Sequence, residues 1–319
     1  MPPAFAQPRA AMLESMLRIR AYEATLASIA SALEPIACTS VGHEACAVGL
    51  IAALKPHDRI LTDHRSAAHL LARGASPARL MAEVLGRSNG YCKGKSGSLH
   101  ISAKELGVVL TSTIVGGALS MATGVALAQK LGYGVPGGVV AVVFDDGDAC
   151  QGIFHESLNL AVTWDLPALY VCENNQFQRN VHREAVRGEY ISTWAQKFDM
   201  PALIVDGNDV EAVHTTTRAA IAQIRRTSQP FFIELQTYPQ RAHTEPAVQR
   251  HVDRADLHDW EKRDPIAIMT DRLLKAVAMS QADITQLDES AHLEMKAALA
   301  FAQSSPWPST TELTNDVYA

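Results

Sequence analysis

Residues 139 to 177 read VVAVVFDDGDACQGIFHESLNLAVTWDLPALYVCENNQF, and no other stretch narrows the possible folds as much. The apolar, β-branched run Val139 to Phe144 stops abruptly at Asp145, Asp146, Gly147 and Asp148, the pattern of a buried strand followed by a polar turn. From Gly152 to Trp164 the apolar residues Ile153, Phe154, Leu158, Leu160, Ala161 and Trp164 recur at helical spacing, and Leu166 to Cys172 then reads as a second buried strand ahead of Glu173, Asn174 and Asn175. A strand, helix, strand unit of this kind is parallel, because the helix carries the chain back to the starting edge of the sheet.

Both strand ends then face the same edge, where open α/β sheets bind ligands. Asp146 and Asn175 can lie side by side there although 29 positions separate them (175 minus 146). A carboxylate and a side-chain amide are two hard oxygen donors. They suit Mg²⁺, which keeps some of its waters and shares its octahedron with substrate phosphates. The residues taken alone fit a metal-bridged diphosphate, and they fit equally an acidic turn that ends a strand and an Asn-Asn pair that opens a loop.

The motif DDGDACQG, followed at this spacing by LPALYVCENN, resembles the thiamine-diphosphate fingerprint of one family: the alpha subunits of the first component of 2-oxo acid dehydrogenase and acetoin dehydrogenase complexes. SVGHEACAVGLIAAL, GRSNGYCKGKSGSLHI, VDGNDVEAV, ELQTY, KRDPI and the terminal NDVYA resemble the same family in the same order, so the likeness runs from about Met12 onward. It implies an α/β fold, an open, mostly parallel sheet with helices on both faces, of the thiamine-diphosphate-binding, diphosphate-binding type. The division it suggests is an N-terminal helical segment 1–35, the cofactor domain 36–265, and C-terminal helices with an extended tail 266–319.

The resemblance also implies roles for residues. Asp146, Asn175 and the backbone carbonyl of Phe177 would hold Mg²⁺, with Asp146, Gly147, Asp148 and Asn175 beside the cofactor. A Tyr-Arg pair of the family maps onto His64 and Arg65, at the end of a short strand Arg59 to Thr62. Arginine's planar fork of donors suits phosphate. A family histidine two residues past that arginine is Ala67 here, whereas His69 matches a second histidine of acetoin-type members. Main-chain groups at Thr113 and Val115 would meet the aminopyrimidine ring, and Thr113 stands where the family has glycine. A catalytic histidine maps onto His243, in a long loop after the strand Phe231 to Leu235. Histidine suits proton transfer near neutral pH. Around it Arg241 resembles acetoin-type members, while Pro239 and Ala242 depart from the usual residues.

The same resemblance implies a partner. The glutamate that activates the cofactor ring belongs, in this family, to a separate beta subunit. The expectation is therefore an α₂β₂ heterotetramer, inactive as the isolated chain, that cleaves a 2-oxo acid or acetoin-like ketone and passes the acyl group to a lipoyl-bearing acyltransferase. Two other readings stay open: transfer to a free small-molecule acceptor with C–C bond formation, and a scaffold subunit without cofactor. The last is motivated by Asp145 and Asp148, which add two carboxylates beside a diphosphate where like charges repel.

The rest of the chain is read structurally. Pro8 to Leu33 is an amphipathic helix; Ser40 caps an Ala-rich helix ending at Leu54, with His43 and Glu44 as its helix-start partners; Arg87 to His100 is a Gly- and Lys-rich supporting loop. Ser304 to Ala319 reads as an extended tail. Gly132-Tyr133-Gly134-Val135-Pro136-Gly137 spells G-x-G-x-x-G, but it follows a helix and opens a strand, the reverse of a dinucleotide site. The net charge of −6 argues against nucleic acid or an anionic membrane as partner. Five scattered cysteines without framework spacing point to a reducing cytoplasm. The most apolar run, Ile114 to Ala128, has 15 residues (128 minus 114, plus one), short of the roughly 18 to 20 that span a bilayer.

Overall fold

The structure, a computed structural model, describes residues 6–30, 37–178, 181–182, 190–241, 244–245 and 254–316. The strands in chain order are β1 (Ala37–Cys38), β2 (Arg59–Thr62), β3 (Val108–Thr111), β4 (Val140–Asp145), β5 (Ala168–Asn174), β6 (Phe177–Gln178), β7 (Val181–His182), β8 (Ala202–Asp206), β9 (Phe231–Gln236) and β10 (Thr244–Glu245). The helices are α1 (Ala6–Ser28), α2 (Glu44–Ala53), α3 (Ala67–Ala72), α4 (Pro77–Val84), α5 (Gly117–Ala128), α6 (Asp146–Ala149), α7 (Gly152–Thr163), α8 (Ile191–Gln196), α9 (Val210–Thr227), α10 (Arg254–Glu261), α11 (Pro265–Lys275) and α12 (Gln281–Ser304).

Six strands form one sheet in the order β3-β2-β4-β5-β9-β8, and every pairing is parallel. The β4–α7–β5 unit forms as its sequence pattern requires. Alternation along the strands sends side chains to two cores. Val140, Val142, Phe144, Ala168, Tyr170 and Cys172 pack with α5, α7 and α8 on one face. Ala141, Val143, Leu169 and Val171 pack with α1, α2, α9 and α12 on the other. With both faces covered, the strands are apolar throughout. The chain steps from β2 outward to β3 and then back past β2 to β4, so the connections diverge between β2 and β4, and a crevice opens at the carboxyl ends of such neighbours.

Several local expectations shift. The Asp145–Asp148 turn is a short helix, α6, with Asp145 as its cap. Ser40 does not cap α2: its backbone N–H and hydroxyl both donate to the buried carboxylate of Glu23, because the chain has not yet turned into the helix at that point. His43 holds the cap position of α2 with no side-chain capping bond. The Gly132–Gly137 segment leads from helix to strand as expected, its first two residues closing a π-helical turn, Gln129–Tyr133, after α5.

The tail after Ser304 is not simply extended. It carries a 3-10 turn, Thr310–Leu313, and docks on the Gly- and Lys-rich loop. Arg87 stacks on Trp307 at 3.7 Å, and Lys93 and Lys95 each pair with Glu312 and Asp316. An acidic tail and a basic loop remote in sequence attract once α12 has brought the chain back beside α4.

Asp58, fully buried just before β2, ties distant parts of the core together. It accepts from the backbone N–H of Lys55 (2.7 Å) and Val139 (2.9 Å) and from Arg225 Nη2 (2.6 Å). Asp58→Ala strands two backbone donors and a guanidinium, so the unfolding free energy should fall by about 3 kcal/mol, as read from the denaturant midpoint. A midpoint within error of the wild type would show that the site rehydrates freely.

Candidate active site

The carboxyl edge of the sheet gathers residues from three neighbouring strands. Asp63, His64 and Arg65 follow β2; Asp145 ends β4 and Asp146 starts α6; Glu173 and Asn174 end β5, followed by Asn175. Asp146 is 2% exposed and Asn175 0%. They sit on adjacent strand ends, in a ladder whose last paired residues are Asp145 and Glu173. Phe177 begins β6, paired antiparallel to β7 with Phe177 opposite His182. Arg65 is buried, and its Nη1 donates to Thr39 O at 2.7 Å. Each of these expected ligands therefore comes to the same edge.

The two additional carboxylates have structural partners. Asp145 Oδ1 accepts from Asp148 N–H and Asp148 Oδ2 accepts from Asp145 N–H, both at 3.1 Å, a reciprocal capping box. The Asp148 carboxylate also takes the N–H of Gly116, fastening α6 to the loop before α5. Carboxylate oxygens of Asp63, Asp145 and Asp148 lie within 4.8 Å of one another. Burial, together with the nearby Asp145 and Asp63, pushes the Asp148 carboxyl up to about 8. Burial also raises Asp63, an effect that His64 opposes and Asp145 and Glu173 reinforce. A carboxyl that keeps its proton at neutral pH adds no charge to this edge of the sheet.

Glu173 is the residue that sequence reasoning missed. It continues the odd-numbered face of β5, toward α2 and α3. There His43 Nδ1 lies 2.9 Å from its Oε2, and His69 Nε2 lies 3.0 Å from its Oε1. Burial by itself would raise Glu173, but the two imidazoles outweigh it and hold the carboxyl well below the usual range. Burial likewise opposes charge on His69, yet Glu173 lifts its pKa. His69, expected at the cofactor, thus bears on Glu173, and His43 does the same instead of acting at its helix start. A glutamate closing an otherwise apolar strand was the available signal.

On the other side of the crevice, Thr113 Oγ1 and His100 Nε2 are 3.1 Å apart, and Val115 is 53% exposed. His243 and Ala242 lie outside the described residues. The segment leading to them is firmly seated: Thr237 Oγ1 donates to Gly42 O (3.2 Å), Gln240 N–H donates to Val41 O (3.1 Å), and Gln240 Nε2 reaches Asp264 Oδ2 (3.1 Å). Gly42, at φ +99°, allows this approach, because a Cβ there would stand 2.6 Å from Tyr238 O. Just beyond, Thr244 pairs with Cys38.

Residues 14–311 match the family described as "Dehydrogenase E1 component". The alpha subunit of acetoin:2,6-dichlorophenolindophenol oxidoreductase from Bacillus subtilis is 34% identical over 311 residues, 96% of this chain and 92% of that protein. The pyruvate dehydrogenase E1 component subunit alpha of Zymomonas mobilis is 34% identical over 280 residues, 87% of this chain and 78% of its own. The somatic, mitochondrial form of the same subunit from Homo sapiens is 34% identical over 282 residues, covering 87% and 70%. The chain therefore belongs to the dehydrogenase E1 component family and is an alpha subunit of the 2-oxo acid and acetoin dehydrogenase kind.

Proposed function

We propose that this chain supplies the diphosphate-binding half of a thiamine-diphosphate- and Mg²⁺-dependent active site that a beta subunit completes, in an α₂β₂ assembly. The observation that carries the reading is the burial of Asp146 and Asn175 on adjacent strand ends, with Arg65 arriving from the next strand. Their donor set fits the group: a carboxylate, an amide oxygen and the Phe177 carbonyl are hard ligands for Mg²⁺, and the Arg65 guanidinium suits a phosphate. His64 and the backbone of Gly147 and Asp148 line the same end, while the main chain at Thr113 and Val115 faces the ring. His69 acts through Glu173.

When bound, thiamine diphosphate provides nucleophilic attack on a carbonyl and storage of the electrons released as the adjacent bond breaks. The chain's own residues do the rest. Asp146, Asn175 and Arg65 fix the anionic end, the α5 approach orients the ring, and His243 moves protons on a 2-oxo acid or acetoin-like ketone. Ile114 and Val115, exposed beside the crevice, give the beta subunit an apolar edge to cover. The acyl group passes to a lipoyl arm, and the scattered cysteines, without framework spacing, favour a reducing cytoplasm.

Calorimetric titration of thiamine diphosphate with Mg²⁺, into the chain alone and into the chain with its co-expressed beta partner, tests this. Binding in the mixed sample only is the expected result. An intact complex that binds no cofactor would leave a scaffold subunit instead.

A further inference from the structure

The anchor just described makes no use of His43. Its side chain is 1% exposed, its Nδ1 is taken up by Glu173, and among the described residues its buried Nε2 has no hydrogen-bond partner. An unmet buried donor or acceptor is costly enough that a native fold seldom keeps one unless something else fills it.

The partner on the other nitrogen is held rigidly. Glu173 ends a strand paired on both sides, to Asp145 and to Leu235, and its second oxygen is braced by His69. A fixed carboxylate at Nδ1 sets the ring's orientation and puts the proton on that nitrogen, leaving Nε2 as the working end. The same logic orients a histidine in hydrolase triads.

His43 also stands in the right neighbourhood. Glu173, which holds it, is two residues before Asn175. The adjoining Val41 and Gly42 are hydrogen-bonded to Gln240 and Thr237, in the segment that leads to His243. The imidazole therefore lies between the strand-end edge that carries Asp146 and Asn175 and the described segment Thr237–Gln240. Resting on the cofactor reading above, we propose that His43 is a substrate-facing residue. Its Nε2 accepts a hydrogen bond from the substrate hydroxyl of an acetoin-like ketone, and Glu173 is its positioning residue.

Two substitutions separate this from a purely structural pairing. His43→Asn places an amide nitrogen near the old Nδ1, keeping the Glu173 bond and deleting Nε2. His43→Gln reaches the Nε2 position and gives up Nδ1. Each is prepared as the complex with its beta subunit; cofactor affinity is measured by calorimetry with Mg²⁺, and turnover with pyruvate and with acetoin, using 2,6-dichlorophenolindophenol as electron acceptor.

The expected result is that His43→Asn lowers kcat by about 10- to 100-fold with cofactor affinity changed less than about threefold, and that His43→Gln retains more activity than His43→Asn. The reverse order, wild-type turnover in His43→Asn, or failure of both variants to assemble makes His43 a structural partner of Glu173 and overturns the proposal. A wild-type complex that binds no thiamine diphosphate overturns the cofactor reading, and this one with it.

Discussion

Asp146→Ala is expected to weaken Mg²⁺-dependent binding of thiamine diphosphate to the assembled complex by more than about 100-fold, while the chain still folds and assembles. Asp146 is buried at the first position of α6. Capping falls to Asp145 and Asp148, whose reciprocal bonds survive the substitution. The loss should therefore concentrate in the proposed metal site, where one of few hard ligands would disappear and the remaining amide and carbonyl would carry no charge to offset Mg²⁺. Calorimetry on the complex reads the affinity, and size-exclusion chromatography with a melting curve reads assembly. Unchanged affinity would sink the assignment of the anchor.

Replacing Glu83 by Ala should cost about 3 kcal/mol and free the Gly- and Lys-rich loop. Glu83 is fully buried on α4, and its carboxylate accepts from the backbone N–H groups of Cys92 (2.7 Å), Gly94 (3.0 Å) and Ser96 (2.9 Å) and from the Ser96 hydroxyl (2.9 Å). One side chain thus satisfies four donors of a loop with no regular structure of its own. Gly90 leaves it room, since a Cβ there would stand 2.2 Å from Glu83 Oε2. Without the carboxylate the donors must turn to water, loosening both the tail contacts at Lys93 and Lys95 and the run toward His100, which meets Thr113. Hydrogen exchange at residues 92–96, with a denaturation midpoint, measures this. Protection equal to the wild type would mean that the loop is held by its other contacts. Glu83→Gln keeps one acceptor oxygen and should lose about half as much.

Neither residue was equally visible beforehand. Asp146 stands out because a carboxylate ending an apolar run is a local pattern, and the same holds for Asn175 after the next strand. Glu83 sits in MAEVLGR, where a glutamate on a helix reads as solvated; only the return of residues 92–96 over α4 buries it. Glu173 was passed over for a related reason. Its neighbours Asn174 and Asn175 read as a loop, while β5 in fact runs through Asn174 and points Glu173 inward.

The amino-acid sequence by itself determined the elements near the site, because β-branched runs, helical spacing and polar stops act within about a dozen residues. It determined the parallel β4–α7–β5 unit, the presence of Asp146 and Asn175 at one edge, the rejection of the G-x-G-x-x-G turn, and the family likeness. The tertiary structure alone decided which strand lies beside which, and hence that Asp63 and Arg65 from β2 join the ends of β4 and β5. It alone joined His43 to Glu173 across 130 positions and set the C-terminal tail on Lys93 and Lys95. Contacts between distant segments depend on the order in which strands stack and helices return, a property of the whole packed core rather than of the preferences of any one segment.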